Sequence, residues 1–176
     1  QSKNSSHQLQ YVHLLKKSWL FTVSDNVLAS QNSSLNYASR NFEINGNKFE
    51  AKMGYLFSKN ASWDVFFILQ DKKNKLGSLE SLQHNQIGTS FNFASEKKIT
   101  INGEFSLINN QFNGNPFSPV GFQMLEGLQA GKNTTWRLLV QKNLTQYLDV
   151  NVNYQGRKSE STDTVHTGNI QLRAYF

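Results

Sequence analysis

Cysteine is absent from the 176 residues, which removes disulfides, thiolate metal sites and cysteine nucleophiles together. No stretch approaches the roughly 20 consecutive apolar residues that a membrane-spanning helix needs, and the mean hydropathy is −0.54. A helical membrane protein is therefore excluded. A barrel is not, because half of every barrel strand faces a polar interior. Apolar residues at helical spacing are nearly missing as well, so the chain is expected to be all-β. It opens Gln1-Ser2-Lys3-Asn4-Ser5-Ser6, without methionine or an apolar run. The expectation is that a leader has been removed or that this is a piece of something longer.

Motifs that carry chemistry are also missing. His7, His13, His84 and His166 share no metal-ligand spacing, and no nucleophile elbow, phosphate loop or dinucleotide fingerprint occurs. The expectation is a chain with no catalytic residue, metal or cofactor. His84, beside Asn85 near an expected outer rim, reads as an exposed loop histidine; an outer-membrane hydrolase would use it as a base. The net charge of +6 comes from scattered lysines such as Lys16-Lys17, Lys72-Lys73 and Lys97-Lys98. None builds a helix face or an aromatic-interleaved patch, so no nucleic-acid partner is expected. Such pairs suit solvated turns or the phosphates of anionic lipid.

What is present is a period of two. In residues 165–176, Ile170, Leu172, Ala174 and Phe176 share one parity, and Thr167, Asn169, Gln171, Arg173 and Tyr175 the other. Successive strand side chains point to opposite faces, so one face is apolar and the other polar. The alternation recurs over residues 49–58, 63–70, 87–93, 99–107, 136–141 and 148–155, although Phe66 and Ile68 interrupt the polar parity of their segment. Less regular segments at 8–15 and 19–27 bring the expected count to about nine, each near the 9–11 residues of a tilted membrane strand. Asn45-Gly46 is a type I′ hairpin signal, which makes 35–44 a further candidate, and 120–129 is another. Nine to eleven strands are consistent with the pattern.

The connections carry an independent signal. Residues 16–17, 59–62, 95–98 and 143–146 read as tight turns, whereas 28–48, 72–84, 110–134 and 158–164 read as long connections. Short and long alternate throughout. A membrane barrel sorts its loops this way, with short periplasmic turns and longer extracellular loops. A soluble meander has no reason to do so. The expected fold is an antiparallel up-and-down transmembrane β-barrel, with residues 1–7 a stub or external loop and 8–176 the strands. Nine is odd, whereas single-chain bacterial barrels have even counts, and open sheet edges are costly in lipid. The chain is thus expected to be the C-terminal part of a larger barrel, pairing with upstream strands or another envelope subunit.

Residues 121–136, 154–159 and 165–176 resemble the tail of large outer-membrane proteins of Bacteroidota-type bacteria, over about the last third of the chain. The aromatic terminus at Phe176, following Ile170, Leu172 and Ala174, resembles the signal by which barrel assembly machinery recognises outer-membrane proteins. The resemblance implies an outer-membrane setting, lipid and lipopolysaccharide neighbours and long upstream regions. It implies no catalytic residue and no substrate. Asp163-Thr164-Val165 resembles the three-residue O-glycosylation motif of these bacteria, with Thr164 as acceptor.

Charged residues on the polar parity are the remaining candidates. Asp64, Glu104, Arg137, Asp149, Arg157 and Arg173 would face a barrel lumen, where they either select solutes or stitch the wall with salt bridges. Trp19, Trp63, Trp136, Tyr55, Tyr147, Tyr154 and Phe176 lie near strand ends, as interfacial girdles require. The leading reading is an outer-membrane wall serving as pore, anchor or subunit of an envelope transport or assembly complex. The rival is a secreted soluble β-barrel or sandwich that binds a ligand, in which the same apolar parity would be enclosed.

Overall fold

In the computed structural model, which describes residues 1–77, 79–95 and 99–175, the two-residue period becomes nine antiparallel strands in one sheet. They are β1 (Ser2–Leu15), β2 (Trp19–Asn32), β3 (Phe42–Ser58), β4 (Ala61–Asn74), β5 (Ser81–Ala94), β6 (Ile99–Asn113), β7 (Gly131–Thr145), β8 (Leu148–Ser159) and β9 (Val165–Ala174). Each pairs only with its neighbours in sequence. The strand ends Leu15/Trp19, Ser58/Ala61, Ala94/Ile99 and Thr145/Leu148, separated by two to four residues, meet at one rim, and Asn32/Phe42, Asn74/Ser81, Asn113/Gly131 and Ser159/Val165, separated by five to seventeen, at the other. The loop-length alternation read from the sequence is therefore real.

β4 shows why the chain chose a sheet with two unlike faces. Trp63, Val65, Phe67 and Leu69 point outward and are exposed, while Asp64, Phe66, Ile68, Gln70, Lys72 and Asn74 point inward and are buried. Register carries this division across the sheet. Val152 opposes Val140 and Ile170, Val150 opposes Leu172, Gly103 opposes Leu138, and Phe105 opposes Trp136, all on the outward face. Ile170 is 71% exposed and Leu172 66% exposed. A soluble core would have enclosed these side chains.

The sheet curls around its polar face. Lys72 on β4 reaches the backbone of Met124, and Arg157 on β8 reaches that of Gly127. The same short segment also lines a cavity with Asn4 and Ser6 of β1 through Gln123 and Glu126, so it faces strands from β1 to β8, which a flat sheet would spread over about 34 Å; the wall is bent around it. The outward face is thus convex. Its apolar stripe on β3 runs from Phe49 to Phe57, roughly 26 Å along the strand at about 3.3 Å per residue, and less when tilted. That matches the apolar band of an outer-membrane barrel. Aromatic rings mark both margins. Trp19 packs edge-on against Tyr55 at 4.8 Å and Tyr55 against Phe57 at 5.0 Å near the short-turn rim. Toward the long-loop rim, Trp136 donates to the Tyr154 hydroxyl at 3.3 Å, and that hydroxyl bonds His166 at 2.8 Å.

Glycine permits two close cross-strand ring contacts. A Cβ at Gly88 would lie 2.3 Å from the Phe66 ring, and one at Gly156 would lie 2.2 Å from the Trp136 indole. The first explains how an aromatic is accommodated on the polar parity of β4: its ring covers bare backbone on the neighbouring strand. Gly156→Val must displace the indole, and we expect it to cost about 1–3 kcal/mol in a urea titration followed by tryptophan fluorescence. An unchanged midpoint would contradict that packing.

Three expectations need correction. Asn45-Gly46 is no hairpin, for both residues lie inside β3 and pair with β2 on one side and β4 on the other. Residues 120–129 do not form a strand; Pro119–Leu125 is a helix, α1. Ser118 caps it by accepting from the Gly121 amide at 2.9 Å, Pro119 occupies the first turn, and Glu126 ends it at φ 54°. The stretch 1–7, expected as a stub or external loop, enters β1 at Ser2. Its polar side chains bond across to β2: Ser6 donates to Asn26 at 2.9 Å, and Asn4 accepts from Ser30 at 2.6 Å.

Among the described residues the outer edges of β1 and β9 have no partner strand, and every residue of both strands is exposed.

Candidate functional site

The concave face is the site, because it is where the chain gathers charge, amides and the inward-folded connection 114–130. Segment 114–130 does not extend away from the rim; it lies back across the concave face. Val120, Met124 and Leu125 of that segment bury themselves with Ile44 of β3 and Leu82 of β5, flanked by Phe42 and Phe112. Met124 is 1% exposed. Burial of each such side chain is worth about 1.5–3 kcal/mol before ordering costs.

Polar contacts fix the segment further. The Lys72 ammonium donates to the Met124 carbonyl at 3.0 Å and pairs with Glu126. Arg157 donates to the Gly127 carbonyl at 2.7 Å. The Asn110 and Asn133 amides donate to the Gln129 carbonyl at 3.1 and 2.9 Å, and Asn133 accepts from the Gln129 amide at 3.1 Å. Removing the ammonium in Lys72→Met leaves the Met124 carbonyl without its donor. We expect a loss of about 1–3 kcal/mol in the docking of this segment, read as faster hydrogen exchange at residues 119–127. Unchanged protection there would show that apolar packing alone holds it.

All six charged residues singled out from the sequence point to the concave side, in three settings. Asp64 is 5% exposed. It pairs with Lys52 at 3.2 Å and accepts from Ser90 at 3.2 Å and Asn92 at 3.1 Å, while Lys48 pairs with Glu50 at 3.2 Å one row away. This half of the wall is stitched. Glu104 and Arg137 oppose each other across β6 and β7, and Arg157 opposes Thr135. These three line a cavity of about 470 Å³ with Gln155 and Thr167. Asp149 opposes Arg173 across β8 and β9 and accepts from the Tyr175 hydroxyl at 2.9 Å.

His84 is not in a loop. It sits in β5 on the concave face, half-buried, with ring nitrogens 2.8 Å from Asn110 Oδ1 and 3.2 Å from Gln86 Oε1. Its neighbours are amides, with no carboxylate or hydroxyl nucleophile among its hydrogen-bond partners. Ile170, Leu172 and Ala174 of the expected insertion signal lie on the convex face of β9, while Phe176 falls outside the described residues. Thr164 is exposed in connection 160–164, at the long-loop rim. Sequence reasoning missed Lys72, Asn110 and Asn133, which tie the inward segment down. Lys72 read as half of a loop lysine pair, and both asparagines fell within the connection expected over 110–134.

No protein-family model matches the chain, and no curated protein matches it either. Solved structures do. The chain is similar to OmpT of Vibrio cholerae expressed in the outer membrane, at TM-score 0.67 and 11% identity, over 99% of this chain and 57% of that one. It is similar to the in-vitro folded trimer form of that outer-membrane protein at TM-score 0.63 and 11% identity, over 98% and 56% of the two chains. A third structure, also OmpT of Vibrio cholerae folded in vitro, gives 0.51 and 12%, over 96% and 64%. The chain therefore spans a little over half of the first two. At these identities the likeness establishes the fold: an outer-membrane β-barrel wall, in agreement with the bacterial outer-membrane setting read from the sequence.

Proposed function

We propose that this chain forms part of the wall of a bacterial outer-membrane barrel whose concave face lines a passage for small polar solutes, narrowed by segment 114–130. The observation that carries the reading is the direction in which that segment folds. A barrel serving only as an anchor needs no connection tied across its interior by Lys72, Arg157, Asn110 and Asn133. A passage needs something to set its width and lining.

On this reading the convex face contacts outer-membrane lipid and lipopolysaccharide, and the edges of β1 and β9 pair with upstream strands of the same protein or with another envelope subunit. An edge left in hydrocarbon would expose a row of unpaired backbone groups, each costing several kcal/mol. The terminal strand, with Ile170, Leu172, Ala174 and Phe176, is then the segment read by the barrel assembly machinery, and the chain has no enzymatic part. Thr164 stands at the outer rim, where a glycan would meet no steric obstacle.

Replacing residues 117–128 with a short glycine-serine linker in the protein reconstituted in planar bilayers tests the passage. Conductance should rise by about twofold or more, because the narrowest part of the lumen is removed. Equal conductance before and after, or none in either, would reject it.

A further inference from the structure

The two halves of the concave face treat their cations differently. On β3 and β4, Lys48, Lys52 and Lys72 each have a carboxylate within 4.0 Å, from Glu50, Asp64 and Glu126. On β7 and β8, neither Arg137 nor Arg157 has one among the described residues. Arg157 spends one Nη1 bond on the Gly127 carbonyl, which fixes its head and leaves other donors of the fork available. The Arg137 side chain is exposed, and its guanidinium has no hydrogen-bond partner among the described residues. The two are diagonal neighbours, since Arg137 opposes Gln155 and Arg157 opposes Thr135.

From this we infer that the cavity between β6 and β9 is a binding site for small oxyanions, carboxylate or phosphate, held by Arg137 and Arg157. The cavity, of about 470 Å³, carries the hydroxyls of Thr135 and Thr167 and the amide of Gln155 beside the two guanidiniums. A guanidinium presents parallel N–H donors that match two oxygens of one oxyanion. Glu104, opposite Arg137, leaves the cavity with one net positive charge and moderates the affinity, so that the anion can leave again, as a passage requires. The inference rests on the solute-passage reading for its role but not for the binding itself.

The experiment is calorimetric titration of the folded protein with inorganic phosphate and, separately, with succinate, at low ionic strength. Whichever anion binds, Arg137→Gln and Arg157→Gln should each weaken it about tenfold or more, as expected for loss of one charge-assisted pair. Glu104→Gln should tighten it about threefold, the effect of removing a unit charge about 6 Å away in bulk water. That gain is a result no damage to folding can imitate. Lys48→Gln, on the stitched half, should leave binding unchanged. Tighter binding of phosphate than succinate assigns the site to phosphorylated solutes, and the reverse assigns it to carboxylates. Failure of both anions to bind, or arginine variants that bind like the parent, would overturn the site. Bilayer recordings separate the two ideas: binding without conductance keeps the site and removes the passage, whereas conductance without binding does the opposite.

Discussion

Val152→Arg is expected to cost about 2–4 kcal/mol of folding stability in lipid vesicles, the range for an arginine near the middle of a barrel's lipid-facing band. Val152 stands between Val140 and Ile170 on the convex face, within the apolar run of β8. The guanidinium would have to reach an interface or draw water into hydrocarbon. Asn169→Arg, exposed on the concave face of β9 opposite Asn153, should change stability by only about 0.5 kcal/mol or less, as for a solvated surface substitution. Urea titration in vesicles reads both. Equal losses at the two positions would mean that the faces do not differ in solvent.

The second large effect is expected at Asp64. Its carboxylate is buried and serves Lys52, Ser90 and Asn92 together. Asp64→Ala leaves a cation and two polar side chains without their shared acceptor. Breaking a buried pair typically costs 3–5 kcal/mol. Lys52 is one-third exposed, so water recovers part of that, and about 2–4 kcal/mol is expected. Asp64→Asn keeps an oxygen for Ser90 and Asn92 and should lose roughly half as much. A loss below about 0.5 kcal/mol for the alanine variant, the level of an ordinary surface change, would mean that the network is not stabilising.

The wall was legible because burial in lipid and contact with a polar lumen impose opposite demands at spacing two. Val150, Val152, Ile170 and Leu172 declare one solvent, and Asn151, Gln171 and Arg173 the other. Strand ends were less legible. β4 runs on through Asp71 and Lys73, and β5 begins at Ser81 rather than near Ile87, because backbone pairing continues beyond the apolar band where side chains no longer alternate in hydropathy. The same reasoning covers β1, whose first half is serine, asparagine and glutamine. Asn45-Gly46 has strong local turn chemistry, overridden by pairing on both sides of β3. α1 escaped because its seven residues complete only about two turns, too short for a helical period to register. The concave orientation of the charged set followed from parity. Which members would pair did not, since that depends on the segment 114–130 and on which neighbours the sheet's curvature brings into reach.

The central claim is that the convex face meets lipid and the concave face meets water. The absence of cysteine makes the direct test clean. Single cysteines placed in turn at positions 149–155 of β8 and spin-labelled in vesicles should alternate in accessibility. Labels at 150, 152 and 154 should collide with oxygen, which partitions into hydrocarbon, and those at 149, 151, 153 and 155 with a water-soluble nickel chelate. The account predicts a period of two with these phases across the strand. Uniform accessibility, or the same period with the phases exchanged, would contradict it.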